Sequence, residues 1–271
     1  MQTLSSIKPT LGNADVSLTK NIMSDYQTNC AFDREPYVRD FCSTVLDVKG
    51  DLAALSDTFF YPAGGGQPGD CGTLQFNNFG EIRVLETFRD QQNRSCVWHR
   101  LASPVPTAVV GESVAGEIDW QLRYGNMQMH TCLHLLCSLI SAPVTGCSMG
   151  GDKGRLDFDL PEMQFSKEEI TLRLNEMIAD RINVRTTLVS PEHRDSLLPL
   201  VRNRYALPPD TGDAIKMIEI EGVDVQPCGG THVANTSEIR QVVCEKIEKK
   251  GRQNRRIALR FIESGAEPDA R

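Results

Sequence analysis

Two pairs of metal-binding residue types, each with a spacing of four, constrain this chain more than any other feature. His130 and His134 lie in the stretch Met129–Leu136, and Cys228 and His232 lie in Pro-Cys-Gly-Gly-Thr-His-Val. Residues four apart on a helix share one face, so one helix can offer both imidazoles to a single ion. Three imidazoles and one thiolate form a complete tetrahedral ligand set for zinc. The sequence therefore predicts one Zn²⁺ per chain at these four residues.

A His-x-x-x-His pattern alone is also typical of two histidines packed in a core or lying on a surface. Metal binding is favoured because the chain has five histidines and three of them lie in these two motifs. The two glycines between Cys228 and His232 allow a tight turn that directs both side chains to one point. No Glu follows His130, so the His-Glu-x-x-His motif of zinc peptidases, with its general base, is absent.

The same motifs resemble a known family. His-Thr-x-x-His-Leu-Leu from His130, followed by Cys-Gly-Gly-Thr-His-Val from Cys228, is similar to the editing domain of alanyl-tRNA synthetases and to its free-standing relatives, the AlaX-type alanyl-tRNA editing proteins. A third stretch, Phe60–Asp70, resembles the family's glycine-rich motif. The resemblance extends from about Cys30 to about Ile262. It implies a small antiparallel β-barrel followed by an α+β zinc-containing editing domain.

The pattern of apolar residues predicts the same organisation. From Tyr37 to about Asp119, short apolar stretches alternate with polar turns, which is typical of an antiparallel β-barrel or meander. From Trp120 the apolar residues recur at three and four, which predicts a helix that ends at Pro143. Helices mixed with antiparallel strands in the remaining chain indicate the α+β class. The expected domains are a poorly ordered extension (1–29), a β-barrel domain (30–119) and a zinc-binding editing domain (120–271).

Composition and charge exclude several classes of protein. No run of 18 apolar residues exists and the N-terminal segment lacks an apolar stretch, so neither a membrane span nor a secretory signal is predicted and a cytoplasmic location is expected. The nine cysteines form no Cys-x-x-Cys pair and are expected to be reduced thiols. The net charge of −7 argues against general coating of nucleic acid, so DNA is not an expected partner. The sequence does not determine the oligomeric state, and a monomer is compatible with it.

One stretch near the C-terminus departs from the acidic character of the chain. It contains six basic residues that are predicted to contact tRNA, namely Lys246, Lys249, Lys250, Arg252, Arg255 and Arg256. A local basic patch suits a partner gripped at one place, such as the acceptor end of tRNA(Ala), which the resemblance implies as the partner. The alternative is a solvated rim on a hairpin, because charge runs usually form solvated faces.

The glycine-rich stretch contains the first candidates for substrate contact. It matches neither a phosphate-binding loop with Gly-Lys-Ser/Thr nor the Gly-x-Gly-x-x-Gly of dinucleotide folds, so no ATP-dependent chemistry is predicted. The resemblance implies that Gly65, Gly66 and Gln67 face the editing site, where bare backbone can approach a substrate closely. A mobile loop is the alternative.

Three hydroxyl residues are candidates to meet the side-chain hydroxyl of a serine substrate. They are Thr131, Ser148 and Thr231. The two threonines are equally compatible with bracing the backbone. In many relatives a glutamine occupies the region of Ser148, so this chain departs from the family there.

The resemblance implies hydrolysis of the ester that joins a wrong amino acid, chiefly serine and sometimes glycine, to the 3′ end of tRNA(Ala). An aminoacyl ester is already activated, and a zinc ion that polarises its carbonyl meets the chemical need without a protein general base. Four protein ligands also describe a closed structural site, so catalysis requires an exchangeable ligand. No synthetase core is visible, and action in trans is expected. Two alternatives stay open: a non-catalytic zinc-stabilised tRNA-binding module, and a hydrolase of another acylated small molecule.

Overall fold

A computed structural model describes residues 26–201 and 214–262 of the chain. The predicted poorly ordered extension over 1–29 lies outside the described residues up to residue 25. Residues 26–29 are described, and Asn29 and Cys30 form a short parallel pairing with Asp57 and Thr58. Within the described ranges, no helix combines the length and apolarity that crossing a membrane would require.

A closed six-stranded β-barrel forms the first part of the described chain. The strands in this part are β1 (Asn29–Cys30), β2 (Asp40–Lys49), β3 (Leu52–Leu55), β4 (Asp57–Thr58), β5 (Gly72–Phe76), β6 (Gly80–Arg89), β7 (Val97–Leu101) and β8 (Ser113–Ile118). The barrel closes in the order β2-β3-β7-β6-β5-β8, and β1 pairs with β4 outside it. The predicted barrel is therefore confirmed.

Alternation of apolar and polar residues explains why these segments form a barrel. In β8, Val114, Gly116 and Ile118 are buried and the residues between them are exposed. Residues two apart on a strand face the same side, so each strand of this type sends one row of side chains inward. Leu74 and Phe76 on the neighbouring β5 belong to the same buried cluster.

Helix α1 (Trp120–Leu139) follows the barrel directly. The Asp119 carboxylate accepts a hydrogen bond from the Leu122 amide and caps the first turn. The helix ends four residues before Pro143, earlier than predicted, and the backbone at Ile140 is already extended. Proline disfavours helical geometry in the residue before it, which accounts for an end ahead of Pro143.

The remaining elements pack around α1 as two antiparallel sheets and two further helices. The elements are β9 (Val144–Gly150), β10 (Lys153–Asp159), α2 (Lys167–Ala179), β11 (Val184–Val189), α3 (Arg194–Leu197), β12 (Ile215–Ile220), β13 (Asp224–Pro227), β14 (Val242–Lys249) and β15 (Asn254–Phe261). One sheet has the order β14-β15-β10-β9 and the other β11-β12-β13. A capping box formed by Ser166 and Glu169 begins α2. The α+β class is confirmed.

A buried ion pair joins α1 to the barrel side of the molecule. The side chain of Arg123 is fully buried, and its guanidinium contacts the Asp70 carboxylate at the end of the glycine-rich stretch, with Nε to Oδ2 at 2.7 Å. The same guanidinium donates to the carbonyls of Pro36 and Phe59. Because α1 also bears His130 and His134, this ion pair fixes the position of the glycine-rich stretch relative to the two histidines.

Candidate metal centre and its cavity

The structure brings the four predicted metal ligands together. Helix α1 supplies His130 and His134, and the loop after β13 supplies Cys228 and His232. The ligand atoms of these residues all lie within 4.8 Å of one another. Cys228 Sγ is 3.4 Å from Nε2 of His130 and 3.4 Å from Nε2 of His232. The three imidazoles are buried, so a cation at their centre would be held in a desolvated environment.

The carboxamide of Gln67 orients His130. Gln67 Oε1 accepts from the backbone amide of Thr231 at 3.0 Å, which identifies this atom as the oxygen. The same oxygen lies 2.9 Å from His130 Nδ1, so Nδ1 is the protonated nitrogen and donates. Nε2 then keeps its lone pair and faces Cys228. An outer hydrogen bond of this kind is how proteins fix the tautomer of a metal-binding histidine.

Thr131 performs the same task for His232. The Thr131 hydroxyl donates to the Met127 carbonyl at 2.9 Å and accepts from the Val233 amide at 3.2 Å. Its second lone pair lies 3.1 Å from His232 Nδ1, which must therefore donate. Nε2 of His232 is again left free to face the centre.

His134 has a carboxylate beside its outer nitrogen. Its Nδ1 lies 3.4 Å from Asp224 Oδ2, and Gln226 donates to that carboxylate at 2.6 Å. Burial lowers the pKa of His134, but hydrogen bonds to Asp224 and Cys228 outweigh it and raise that pKa to about 9. Carboxylate–histidine pairs are common around bound metals because the carboxylate raises the basicity of the ligand.

Cys228 has the protonation state that a metal ligand needs. Burial raises the pKa of its thiol, but the neighbouring imidazoles of His130 and His232 lower it well below the usual value. For His232, burial and then the charges of His130 and His134 lower the pKa well below its usual value. A thiolate and neutral imidazoles are the species that bind zinc, so His134, whose pKa is about 9 without a metal, must release its proton when the ion binds. The donor set therefore fits Zn²⁺.

One glycine of the Cys-Gly-Gly-Thr-His motif is required for this geometry. A Cβ atom built on Gly230 would lie 2.0 Å from His130 Cε1 and 2.8 Å from Gln67 Oε1. A Cβ on Gly229 would meet nothing within 4 Å. The backbone at Gly230 thus lies directly against the imidazole, and only the second glycine is needed for that contact.

The glycine-rich stretch packs onto β9 near the cluster. Gly66 has φ +91°, and a Cβ there would lie 2.7 Å from the Cys147 carbonyl oxygen. Its own carbonyl accepts from the Met149 amide at 2.9 Å. Gly65 has φ +60° with open space around it. Gly66 therefore serves close packing between the barrel side and β9, whereas Gly65 serves the turn.

The cluster opens onto a cavity of about 810 Å³. His130, His134 and Cys228 line it, together with Cys147 on β9 and Gly65. Five other residues predicted to contact the substrate lie outside the lining: Gly66, Gln67, Thr131, Ser148 and Thr231. The Thr231 hydroxyl accepts from Gln67 Nε2 at 2.8 Å. The contacts of both threonines correspond to the bracing alternative.

The six predicted tRNA-binding residues lie on or beside the β14–β15 hairpin, and most have partners within the protein. Lys246 and Lys250 pair with Glu248, and Arg256 pairs with Asp157 at 2.7 Å. The buried Arg255 donates to the backbone carbonyls of Asn254 and Pro161. Lys249 and Arg252 are exposed and have no ion pair among the described residues.

Several functional neighbours were not predicted from sequence. A spacing of two in the sequence separates Asp224 from Gln226 and Gln226 from Cys228. Residues two apart on a strand face the same side, so this spacing already places the three side chains on one face. That signal was present and could have indicated the partners of His134. Cys147 had no comparable signal, because its place in the cavity depends on the pairing of β9 with β10.

Comparisons of the sequence with known proteins identify its family. The family described as "Threonyl and Alanyl tRNA synthetase second additional domain" matches residues 215–258. The chain is 34% identical over 244 residues to the alanyl-tRNA editing protein AlaX-M of Methanosarcina mazei, covering 85% of this chain and 95% of that protein. It is 31% identical to AlaX-L of Pyrococcus horikoshii, covering 83% of this chain and 55% of that protein. It is 33% identical to the alanine–tRNA ligase of Sulfurisphaera tokodaii, covering 79% of this chain and 24% of that protein.

The matched region thus covers nearly the whole of the AlaX-M protein and about a quarter of the ligase. The class is that of alanyl-tRNA editing proteins. The chain belongs to the AlaX family of alanyl-tRNA editing proteins, as the motifs of the sequence predicted.

Proposed function

We propose that this protein is a trans-acting, zinc-dependent deacylase that removes a wrong amino acid from tRNA(Ala). The observation that carries the proposal is the position of the metal ligands: His130, His134 and Cys228 line a cavity large enough for an aminoacyl ester. The relatives named alanyl-tRNA editing proteins supply the substrate class. Because charged tRNA is used in translation, the proposed location is the cytoplasm.

The reaction adds water across the ester. The carbonyl carbon gains the oxygen of water, its bond to the ribose oxygen breaks, and that oxygen leaves with a proton as the tRNA hydroxyl. His130, His134, Cys228 and His232 would hold the zinc ion, which when bound would supply a Lewis acid for the ester carbonyl. Gln67 and Thr131 act through the imidazoles by keeping Nε2 of His130 and of His232 directed inward.

Access to the cluster favours catalysis over a purely structural metal. Structural zinc sites are closed by four protein ligands, whereas catalytic sites keep one position for substrate or water. Three of the four ligands here line the cavity, and His232 does not. The proposal requires one of the ligands that face the cavity to be exchangeable.

Serine is the proposed amino acid, with glycine second. Serine differs from alanine by one hydroxyl, and a pocket built for alanine rejects it by only about 10²-fold. A second site that removes serine after charging is therefore useful. The small side chain of Cys147 and the bare backbone of Gly65 leave room for a short substrate beside the cluster.

A deacylation assay on tRNA(Ala) charged with serine, glycine or alanine tests the proposal. We expect fastest loss of serine, slower loss of glycine and little loss of alanine. In His134→Ala, zinc content and the rate on serine should both fall, the rate by about 10²-fold or more, because one ligand is missing. His193→Ala is the matched control, since His193 is exposed and lies outside the cluster. Equal rates on all three substrates, or full activity of His134→Ala, would contradict the proposal.

A further inference from the structure

The cavity that three of the metal ligands line is also lined by basic residues. Three arginines line it from the barrel side: Arg34, Arg89 at the end of β6, and Arg94 in the turn before β7. The same lining contains Lys216 and one carboxylate, Asp33, which are engaged with each other. The lining therefore has an excess of positive charge, in a protein whose net charge is −7.

These arginines have no carboxylate partner among the described residues, which they share with the exposed Lys249 and Arg252 of the hairpin but not with Lys246, Lys250 and Arg256. Arg34 donates to the Asn29 carboxamide at 2.7 Å. Arg89 donates to the Arg94 carbonyl at 3.0 Å and to Cys30 Sγ at 3.5 Å. Their charges are therefore not neutralised within the described chain, whereas Lys246, Lys250 and Arg256 are paired.

Two hydrogen bonds brace the turn that carries Arg94. The Thr28 amide donates to the Ser95 carbonyl at 3.0 Å, and the Val97 amide donates to the Thr28 hydroxyl at 3.2 Å. These bonds tie the segment before β1 to the turn that bears Arg94. A binding surface held by packed, hydrogen-bonded neighbours keeps its groups in place for a ligand.

We infer that Arg34, Arg89 and Arg94 bind phosphates of the single-stranded 3′ end of the tRNA, while its terminal ester lies at the metal cluster of the same cavity. The inference rests on the proposed function, and it assigns RNA binding to these three arginines and not to the β14–β15 hairpin. Guanidinium groups match phosphate geometry, and a concave surface of one sign concentrates its potential. Contacts of this kind position a nucleic acid without reading its sequence.

The test compares three double variants that each remove two positive charges. Arg34→Gln with Arg94→Gln changes the cavity, Lys249→Gln with Arg252→Gln changes the hairpin, and Arg83→Gln with Arg173→Gln is a control on exposed arginines that do not line the cavity. Binding of an acceptor-stem RNA of tRNA(Ala) that bears no amino acid is measured over a range of salt concentrations. Each variant is checked for an unchanged melting temperature.

We expect the cavity variant to bind about 10- to 100-fold more weakly and to lose about 1.4 from the salt slope, at about 0.7 for each single-strand phosphate contact. The hairpin variant and the control should bind as the wild type does. Arg34→Lys with Arg94→Lys should keep the slope, because the charges remain. An unchanged slope in the cavity variant, or a loss in the hairpin variant alone, would overturn the inference.

Hydrolysis separates this inference from the proposed function. The kcat/KM for seryl-tRNA(Ala) should fall much further in the cavity variant than that for 3′-seryl adenosine, which has no phosphate. If the wild type edits both substrates and the cavity variant binds RNA normally, only the inference fails. If the wild type hydrolyses neither substrate while the cavity variant still loses RNA binding, only the proposed function fails.

Discussion

At the scale of single residues, the metal cluster depends on groups that do not touch the metal position. Gln67 and Thr131 each accept from the Nδ1 proton of a histidine, and Asp224 lies beside the Nδ1 of a third. The contacts of Gln67 and Thr131 leave Nε2 of His130 and of His232 directed to the centre, while Nδ1 of His134 also lies 3.1 Å from Gln226 Nε2. The outer groups therefore select the tautomer and ring orientation that a tetrahedral site needs.

Gly230 gives the sharpest test of this geometry. In Gly230→Ala, the added Cβ would lie 2.0 Å from His130 Cε1, so the imidazole must move away from the cluster. We expect zinc affinity to fall about 10- to 100-fold, as for loss of an outer partner of a metal ligand. The measurement is a zinc titration against a competing chelator.

Gly229→Ala is the matched control for this substitution. Its Cβ meets nothing within 4 Å, and its φ is not positive, so the same added methyl should leave zinc affinity near wild type. Equal affinities for Gly229→Ala and Gly230→Ala would show that the contact with His130 does not determine the site.

The ligands were predictable from sequence because a spacing of four has direct meaning on a helix and in a tight loop. The role of Thr131 was predictable only as one of two alternatives. Its hydroxyl can serve a substrate or the backbone, and the choice depends on Val233, a residue 102 positions away. Gln67 was expected to face the substrate, yet it contacts His130 from behind, a relation between two domains that no local pattern contains.

At the scale of elements, α1 has two tasks. One of its turns bears Arg123, which reaches the barrel, and later turns bear His130 and His134. Its position followed from the recurrence of apolar residues at three and four in the sequence. The pairing of strands did not, because the barrel order β2-β3-β7-β6-β5-β8 joins segments that are distant along the chain.

The barrel contains a buried histidine with a structural part in the fold. His99 on β7 is fully buried, and burial lowers its pKa to about 4. Its Nδ1 donates to the Ala53 carbonyl at 3.0 Å, which leaves Nε2 to accept from the Thr58 hydroxyl at 2.8 Å. The folded barrel therefore holds this imidazole in its neutral form.

A pH dependence of stability follows from His99. The pKa is about 4 in the folded state and about 6.5 in the unfolded chain, so below pH 6.5 only the unfolded state takes up the proton. Stability from this group is complete above pH 6.5 and decreases as pH falls to 4, by about 3 kcal/mol at about 1.4 kcal/mol per pH unit. At pH 7, His99→Gln should be less stable than the wild type, and this difference in the free energy of unfolding should shrink as the pH falls to 4. Urea unfolding at each pH is the measurement.

The exposed His193 provides the control for this measurement. His193→Gln should follow the wild-type stability curve across the same pH range, since an exposed imidazole has no buried neutral form to lose. A constant difference between His99→Gln and wild type from pH 7 to 4 would contradict the assignment.

At the scale of the whole molecule, the described residues form two large hydrophobic cores and a third, small one. The barrel core includes Phe60, Leu74 and Phe76, and the core around α1 includes Leu136 and Phe158. Both consist of apolar side chains packed among themselves, with the metal ligands at the edge of the second core, where the cavity begins. We therefore expect the fold to be stable without a bound metal, because burial of apolar surface supplies the main stabilisation.

Removal of zinc tests this separation. Dialysis against a strong chelator should abolish deacylation of seryl-tRNA(Ala) and leave a cooperative thermal transition at a lower temperature, because a bound ligand stabilises only by its own binding free energy. Activity should return on addition of zinc, and the chelator preloaded with zinc is the control. A non-catalytic zinc-stabilised module predicts the opposite pattern, with loss of the transition and of near-ultraviolet circular dichroism on chelation. Since His130 and His134 lie on a helix whose buried face is complete without a metal, we expect the folded, inactive protein.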